Sequence, residues 1–347
     1  MWLTAGHERA VDSLRRSLDE GRTAHAYLVT GAPQVGKGRL ALDFAKALNC
    51  TSPDPPCGDC RACRRIEAWQ HPDVEVVSVG GVCDEAEHDH RRDGSKDIKI
   101  CQMRWLQRTI ALRPFEGRMR VVTIDPAEAL NIYAADALLK TLEEPPAQVT
   151  LMLLASQAVS LPETVISRAR QIALSPAQTS TVRQVLVARE VDPARADLIA
   201  RLSGGRIGWA IAHADDVTLL EERARRLARL ELLMEAARTD RMLFAAELAA
   251  RFVTSREETY SWLDLWRSWL RDLLLVAEGC EDLVSNTDQL PAIRQLARSF
   301  AVTGIVRALE ALRECRQQLE ENANARLALE VLALRLPSPV IREEAGR

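Results

Sequence analysis

The stretch Thr30–Leu42, TGAPQVGKGRLAL, joins a glycine-rich turn to the start of a helical pattern. Gly31, Gly36 and Lys37 have the spacing G-x-x-x-x-G-K, which is typical of a loop that wraps a phosphate in backbone N–H groups. The apolar run AYLVTG before the loop predicts a strand, and apolar residues recur at helical spacing after it. Strand, loop and helix together predict an anion cradle, to which Lys37 adds positive charge for the β and γ phosphates of a nucleotide.

The loop lacks a group that hydrolysis needs. Gly38 stands where a Ser or Thr hydroxyl would hold Mg²⁺. Asp125 ends the strand pattern VVTID, but Pro126 follows it where ATPases of this general sort carry a glutamate, and Glu128 is two residues further on. We therefore expect ATP or ADP binding without hydrolysis and without a firm Mg²⁺ site; a loop that keeps its shape and has lost its nucleotide is the alternative. The candidate nucleotide contacts are Gly31, Gly36, Lys37, Gly38 and Asp125.

The alternation of strand and helix patterns up to about residue 174 predicts the fold class. Buried-type strands such as VTLMLLAS, interleaved with helices, indicate a parallel α/β sheet covered by helices on both faces. After about residue 175 strand patterns nearly vanish and helical patterns rich in Leu and Ala take over. We expect an α/β domain at 1–174, a small helical domain at 175–220 and a larger helical domain at 221–347.

Four cysteines follow the loop helix with the spacing C-x6-C-x2-C-x2-C. Cys50, Cys57, Cys60 and Cys63 suit one tetrahedral Zn²⁺ ion, since a C-x-x-C turn lets two sulfurs converge on a metal. Four thiolate ligands leave no open position, so the residues predict a structural zinc module at 50–63. Four free thiols are the alternative.

The other cysteines are scattered. Cys83 with His88 and His90 could form a second metal site, but the polar, charged composition of residues 83–97 favours a mobile surface loop without chemistry. Cys101, Cys280 and Cys315 have no patterned neighbours.

Composition excludes several function classes. The chain has 347 residues, of which 47% are hydrophobic and 27% charged, as in an ordinary soluble protein. Its 46 basic and 49 acidic residues give no bulk positive field for free-standing DNA binding. The N-terminus lacks a signal-peptide core, and we find no apolar run of membrane-spanning length. We expect a cytoplasmic protein without membrane contact, whose cysteines are not disulfide-bonded.

Taken together, these motifs resemble the AAA+ clamp-loader subunits of bacterial DNA polymerase III, and among them the delta-prime type. The resemblance spans nearly the whole chain. It implies an AAA+ P-loop domain with an inserted zinc module, followed by a helical lid and a helical collar. It rests on HAYLVTGAPQVGKG, the four-cysteine module, RVVTIDPAEAL, ADALLKTLEEPP, LPETVISRAR and ENANARLALEVLALRL.

The resemblance also implies partners. Such subunits assemble with delta and gamma/tau subunits into a heteropentamer that uses ATP to load a sliding clamp onto primed DNA. Gly38 and Pro126 depart from the motor subunits, as does Gly208, which stands at the place of their sensor arginine; Arg206 would take that place in a shifted alignment. These departures favour a delta-prime subunit without enzymatic activity of its own, a component of the polymerase holoenzyme.

One arginine is implied to act in catalysis. SRAR resembles a Ser-Arg-Cys motif whose arginine acts in trans, so Arg168 would reach the γ-phosphate held by a neighbouring subunit, with Ala169 in place of the cysteine. The alternative for Arg168 is an exposed charge at a strand edge.

Two other functions stay open on the sequence. One is an active gamma/tau-type ATPase in which Glu128 or a water replaces the missing groups. The other is direct DNA binding by the zinc module. Separately, Trp262, Trp266 and Trp269 share one helix face, which favours a collar-domain core over a packing face for adjacent subunits.

Overall fold

The computed structural model describes residues 1–83, 90, 92 and 94–338. These residues form two compact units. The first contains Met1–Arg189 and Ser203–Ile211, and the second contains Glu190–Leu202 and the chain from Ala212 onward. His88 lies outside the described residues, as does most of the predicted loop at 83–97.

Five strands and fifteen helices, together with short 3₁₀ turns, make up the described part of the chain. The elements of the α/β part are α1 (Glu8–Asp19), β1 (Ala26–Thr30), α2 (Lys37–Asn49), α3 (Arg61–Glu67), β2 (Val74–Val77), α4 (Ile100–Ile110), β3 (Arg120–Ile124), α5 (Ile132–Glu143), β4 (Val149–Ala155), α6 (Glu163–Ile166) and β5 (Arg170–Ala173). The helices that follow are α7 (Thr179–Val187), α8 (Pro193–Leu202), α9 (Ile207–His213), α10 (Val217–Glu235), α11 (Arg238–Thr254), α12 (Arg256–Ala277), α13 (Leu290–Ala297), α14 (Val302–Glu320) and α15 (Ala325–Arg335).

The strands form one parallel sheet in the order β2-β3-β4-β1-β5. Tyr27 of β1 is in register with Met152 of β4 on one side and Arg170 of β5 on the other. Because the carboxyl ends of parallel strands share one edge, the glycine loop after β1 and Asp125 after β3 lie at the same edge of the sheet.

Helices cover both faces of this sheet, as predicted. Tyr27 and Val29 of β1 pack into one core with α1 and α2, whereas Leu28 packs into the opposite core with α4 and α5. Successive side chains of a strand point to opposite faces, so a strand buried on both sides is apolar throughout. The predicted parallel α/β domain is confirmed.

The second unit is helical in its described part. Trp262, Trp266 and Trp269 of α12 are buried in its core, and Phe244 of α11 stacks against Trp266 with ring centroids 5.7 Å apart. The three tryptophans are therefore core residues of this unit, which confirms the favoured interpretation.

The boundaries of the three predicted domains stay a prediction. The contact pattern groups residues 203–211 with the α/β part and residues 190–202 with the later helices. In the described part of the chain, no helix combines the length and the apolar character needed to cross a bilayer.

Candidate nucleotide loop, metal centre and finger arginine

The glycine loop has a backbone that two of its glycines make possible. Gly31 has φ +153°, and a Cβ there would lie 2.6 Å from the carbonyl oxygen of Leu174. Gly36 has φ +120° and immediately precedes the first residue of α2. Both conformations are strained for any residue with a side chain, so the two glycines set the shape of the loop at the N-terminus of a 13-residue helix.

Lys37 lies inside this loop. Its Nζ donates to the carbonyl oxygens of Gly31, at 2.6 Å, and Ala32, at 3.0 Å. Burial lowers the pKa of Lys37, while the carboxylates of Asp125 and Glu128 oppose that change. Burial raises the pKa of Asp125. The positive charge of Lys37 opposes this change, and the carboxylate of Glu128 adds to it. The structure thus brings the loop lysine close to the predicted acid at the end of β3.

Glu128 is held at the same edge. One of its carboxylate oxygens accepts hydrogen bonds from the backbone N–H of Ser156, at 3.0 Å, and from the Ser156 hydroxyl, at 2.6 Å. Ser156 directly follows β4, the strand between β1 and β3, and sequence reasoning missed it. The sequence does place a hydroxyl residue directly after an apolar strand, and this pattern could have identified Ser156 as a candidate. Glu128 is therefore oriented by a partner of its own.

Gly38 has open space beside it. A Cβ at this position would meet no atom within 4 Å. A serine or threonine side chain would therefore fit at this position without a clash. The loop lacks the hydroxyl only because the residue is glycine.

Two further contacts pack onto the loop. His7 Nε2 lies 2.9 Å from the carbonyl oxygen of Val35. The backbone N–H of Gly208 donates to the carbonyl oxygen of Gln34 at 2.8 Å, and a Cβ on Gly208 would lie 2.8 Å from that oxygen. Sequence reasoning singled out Gly208 for a different reason and missed His7. The close backbone approach requires glycine at 208.

Arg206, the alternative sensor residue, is engaged locally. Its Nε donates to the carbonyl oxygen of Ser203 at 2.8 Å, and its guanidinium lies 5.4 Å from the ring centroid of Trp209.

The four module cysteines converge between α2 and α3. Their Sγ atoms all lie within 4.8 Å of one another, and those of Cys50 and Cys60 are 4.0 Å apart. Two thiolates on a tetrahedral zinc ion, each about 2.3 Å from the metal, are about 3.8 Å apart. Cys63 lies within α3, which begins at Arg61, so the last ligand of the predicted module is helical. The arrangement fits a metal ion such as zinc.

Backbone N–H groups also point at these sulfurs. The N–H groups of Cys57, Cys60 and Cys63 lie 3.3–3.4 Å from the Sγ of Cys50, Cys57 and Cys60, respectively. The N–H groups of Cys60 and Asp59 lower the pKa of Cys57. Burial opposes ionisation of Cys60, but hydrogen bonds from Cys63 and Thr51 bring its pKa to about 6. These bonds stabilise the thiolate forms of Cys57 and Cys60, the form that binds a metal, whereas burial raises the pKa of Cys63.

Arg168 lies far from the glycine loop along the strand direction. It precedes β5 by two residues, at the amino end of the sheet, whereas the loop follows the carboxyl end of β1. The four residues of β5 alone span about 13 Å. Its Nη2 lies 2.8 Å from a carboxylate oxygen of Glu143 at the end of α5, and both side chains are substantially exposed. Arg168 is therefore accessible to solvent at the edge of the sheet opposite the glycine loop.

Comparison with known proteins identifies the family. The model of the family described as "DNA polymerase III, delta subunit" matches residues 6–178, and the model for the C-terminal part of that subunit matches residues 212–337. The delta-prime subunit of DNA polymerase III from Bacillus subtilis is 27% identical over 329 residues, which cover 94% of this chain and 95% of the relative. The delta-prime subunit from Pseudomonas aeruginosa is 37% identical over 187 residues, about half of each chain (52% and 53%).

Tau subunits are also related. The tau subunit from Escherichia coli is 28% identical over 95% of this chain, which spans only 52% of the tau sequence. A solved gamma subunit-related protein from Thermotoga maritima aligns with 94% of this chain at 17% identity, with a TM-score of 0.39. With two subunit models along most of its length and delta-prime relatives along nearly all of it, the chain belongs to the DNA polymerase III delta-subunit family, as a clamp-loader subunit of the delta-prime type.

Proposed function

We propose that this chain joins delta and gamma/tau subunits in a cytoplasmic heteropentamer and stimulates ATP hydrolysis there without hydrolysing ATP itself. Arg168 acts as an arginine finger on the γ-phosphate held by an adjacent subunit. The assembled complex then loads a sliding clamp onto primed DNA. The chain contributes the finger and a fixed surface for assembly.

The observation that carries this proposal is the separation of Arg168 from its own glycine loop. The loop and Arg168 lie at opposite edges of one parallel sheet, and an arginine side chain extends only about 7 Å, roughly two strand residues. Its guanidinium fork is suited to phosphate oxygens, and its partner Glu143 is exposed enough to be exchanged for one. A finger that serves another subunit explains such a position.

The loop itself supports binding better than hydrolysis. Gly31, Gly36 and Lys37 retain the cradle, and we assign ATP or ADP to it, with Asp125 beside the phosphates. Gly38 offers no hydroxyl for Mg²⁺ and Pro126 no carboxylate for the attacking water. For the four module cysteines we assign one structural Zn²⁺ ion.

The experiment that tests this function measures the isolated chain and the assembled complex. Alone, the purified chain is expected to show no Mg²⁺-dependent ATP turnover; mixed with delta and gamma/tau subunits, it is expected to co-elute in one complex and raise ATP turnover. Turnover by the isolated chain that disappears in Lys37→Ala would support a gamma/tau-type motor instead. Failure to co-elute would reject the assembly role.

Direct DNA binding by the zinc module has weaker support. Of the arginines on α3, Arg61 and Arg65 both form ion pairs with the one carboxylate of Glu116, which offsets part of their charge. A salt-dependent DNA affinity of the isolated chain, lost when zinc is removed, would favour that alternative.

A further inference from the structure

A second group of metal-ligating side chains lies outside the four-cysteine module. Cys83, His90 and Cys101 come together although they are spread over 19 positions of the sequence, and their ligand atoms all lie within 4.8 Å of one another. The Sγ of Cys101 is 3.3 Å from Nε2 of His90. His90 and Cys101 are buried, with exposed fractions of 4% and 5%. Cys83 is half-buried, so one thiol and the imidazole lie beneath the surface and the second thiol lies at its edge.

The spacing of these atoms suits a single ion. A sulfur and a nitrogen bound to one tetrahedral zinc ion are about 3.6 Å apart, given bonds of about 2.3 and 2.0–2.1 Å. The Cys101–His90 separation is close to that value, and a small rotation of either side chain would reach it. Thiolate and imidazole ligands favour Zn²⁺ over Mg²⁺ or Ca²⁺, which prefer oxygen.

The surrounding backbone holds Cys101 in place. Cys101 is the second residue of α4, and the side chain of the following residue, Gln102, is fully buried. Its amide nitrogen donates to the carbonyl oxygen of Ser78 at 2.9 Å, and its amide oxygen accepts from the N–H of Lys99 at 3.0 Å. These two bonds tie the start of α4 to the end of β2.

The segment leading to Cys83 is held against the same point. A Cβ on Gly81 would lie 2.9 Å from the carbonyl oxygen of Ser78 and 3.1 Å from Nε2 of Gln102. The backbone two residues before Cys83 therefore passes close to α4. Three residues before Cys101, the backbone of Ile98 pairs with that of Leu130 in an isolated β-bridge, which fixes the chain that leads into α4. Two of the three ligands thus stand on a fixed frame, as a metal site requires.

We propose that Cys83, His90 and Cys101 bind a second Zn²⁺ ion. These three protein ligands occupy three positions of a tetrahedral ion, and the fourth takes a further ligand. The ion links the end of β2 to the start of α4, and it is independent of the four-cysteine module and of any role in ATP hydrolysis. Two other arrangements compete with it. One is a hydrogen bond between Cys101 and His90 without metal, and the other is a Cys83–Cys101 disulfide.

The test counts zinc in the full chain, purified under reducing conditions and dialysed against zinc-free buffer. Wild type is expected to hold two zinc ions per chain by elemental analysis. Cys60→Ser is expected to lose the module ion, and Cys101→Ser or His90→Ala the other. Cys280→Ser, at an exposed cysteine, is the matched control and should keep both.

A ligand exchange separates loss of metal from loss of fold. His90→Cys supplies a thiolate in place of the imidazole and is expected to retain two ions, whereas His90→Ala retains one, with both variants folded by circular dichroism. One ion per wild-type chain would overturn the proposal. So would two ions in both Cys101→Ser and His90→Ala, or a Cys83–Cys101 disulfide located by peptide mapping of the wild type.

Discussion

Arg168 and Glu143 form an ion pair at the amino edge of the sheet, with Nη2 and Oε1 2.8 Å apart. The other terminal nitrogen of Arg168 donates to the carbonyl oxygen of Thr164 at 3.0 Å. An exposed pair of this kind contributes no more than about 1 kcal/mol to stability. The pair therefore orients the guanidinium without making the fold depend on it.

Arg168→Ala is expected to slow ATP hydrolysis at the neighbouring site of the assembled loader by roughly tenfold or more, because a finger stabilises charge in the transition state. The measurement is single-turnover hydrolysis by the reconstituted complex. The melting temperature of the isolated chain should change little, since the ion pair is exposed.

Arg170→Ala is the matched control for this prediction. Arg170 is also exposed, only two residues away, and bonds to the Ser13 hydroxyl at 3.2 Å. It should leave hydrolysis unchanged, while Arg168→Lys, which keeps the charge and loses the fork, should recover only part of the rate. An assembled Arg168→Ala loader with the wild-type rate would remove the finger from the mechanism.

Gly38→Ser is expected to fold well and still fail to hydrolyse ATP. The site has open space for the new hydroxyl, and serine in place of glycine favours a helix by roughly 0.5 kcal/mol. The variant still has Pro126 where an active ATPase has a glutamate, so it lacks the carboxylate that would activate water. Steady-state ATP turnover of the isolated variant should therefore stay at background. Lys37-dependent turnover by this single variant would mean that Glu128 already supplies the missing carboxylate.

Much of the α/β fold was predictable because its signals are local. Strands buried on both faces are recognisable in the sequence as short apolar runs, and the glycine loop follows one of them. These patterns were enough to predict a parallel sheet with helices on both faces. The cysteine module was equally local, since its four ligands lie within 14 residues. The structure adds that its last ligand, Cys63, lies within α3.

Contacts between distant residues were not predictable in the same way. Arg223 lies in the charged segment EERARRLARLELL, whose composition suggests an exposed helix face. Its side chain is nevertheless buried and pairs with Asp288 at 2.6 Å, 65 residues later. Cys101 meets His90 only because α4 begins beside the end of β2. Such pairings depend on how the elements pack in three dimensions, and neither the periodicity of apolar residues nor the spacing of motifs predicts that packing.

Gly208→Ala is expected to destabilise the α/β unit by about 1–3 kcal/mol, because the new methyl group would lie 2.8 Å from the carbonyl oxygen of Gln34. Urea unfolding followed by circular dichroism measures the loss. Gly38→Ala is the control, since its methyl group meets open space. Equal stability of the two variants would show that the contact with the loop relaxes easily, and an arginine at position 208 would then become sterically acceptable.

Asp73 is a buried carboxylate that closes the turn before β3. It accepts backbone hydrogen bonds from Phe115 at 2.7 Å, Glu116 at 2.9 Å and Gly117 at 2.8 Å, and Nη2 of Arg120 lies 3.2 Å away. Burial opposes ionisation, but the three N–H groups and Arg120 outweigh it, so the pKa of Asp73 lies below its ordinary value of 3.8.

Asp73→Asn is therefore expected to destabilise the chain by about 2–4 kcal/mol at neutral pH, because an amide replaces an anion that three donors and a cation surround. A lowered folded pKa stabilises the native state above the ordinary, unfolded value of 3.8, and that contribution disappears as pH falls through the folded value. The difference in free energy of unfolding between wild type and variant should thus be constant from pH 7 to 5 and shrink below pH 4. Urea titrations at each pH measure it, with the exposed Asp136→Asn as control. A difference that stays constant into acid would mean that the lost stability comes from the amide's misplaced donor and not from the charge.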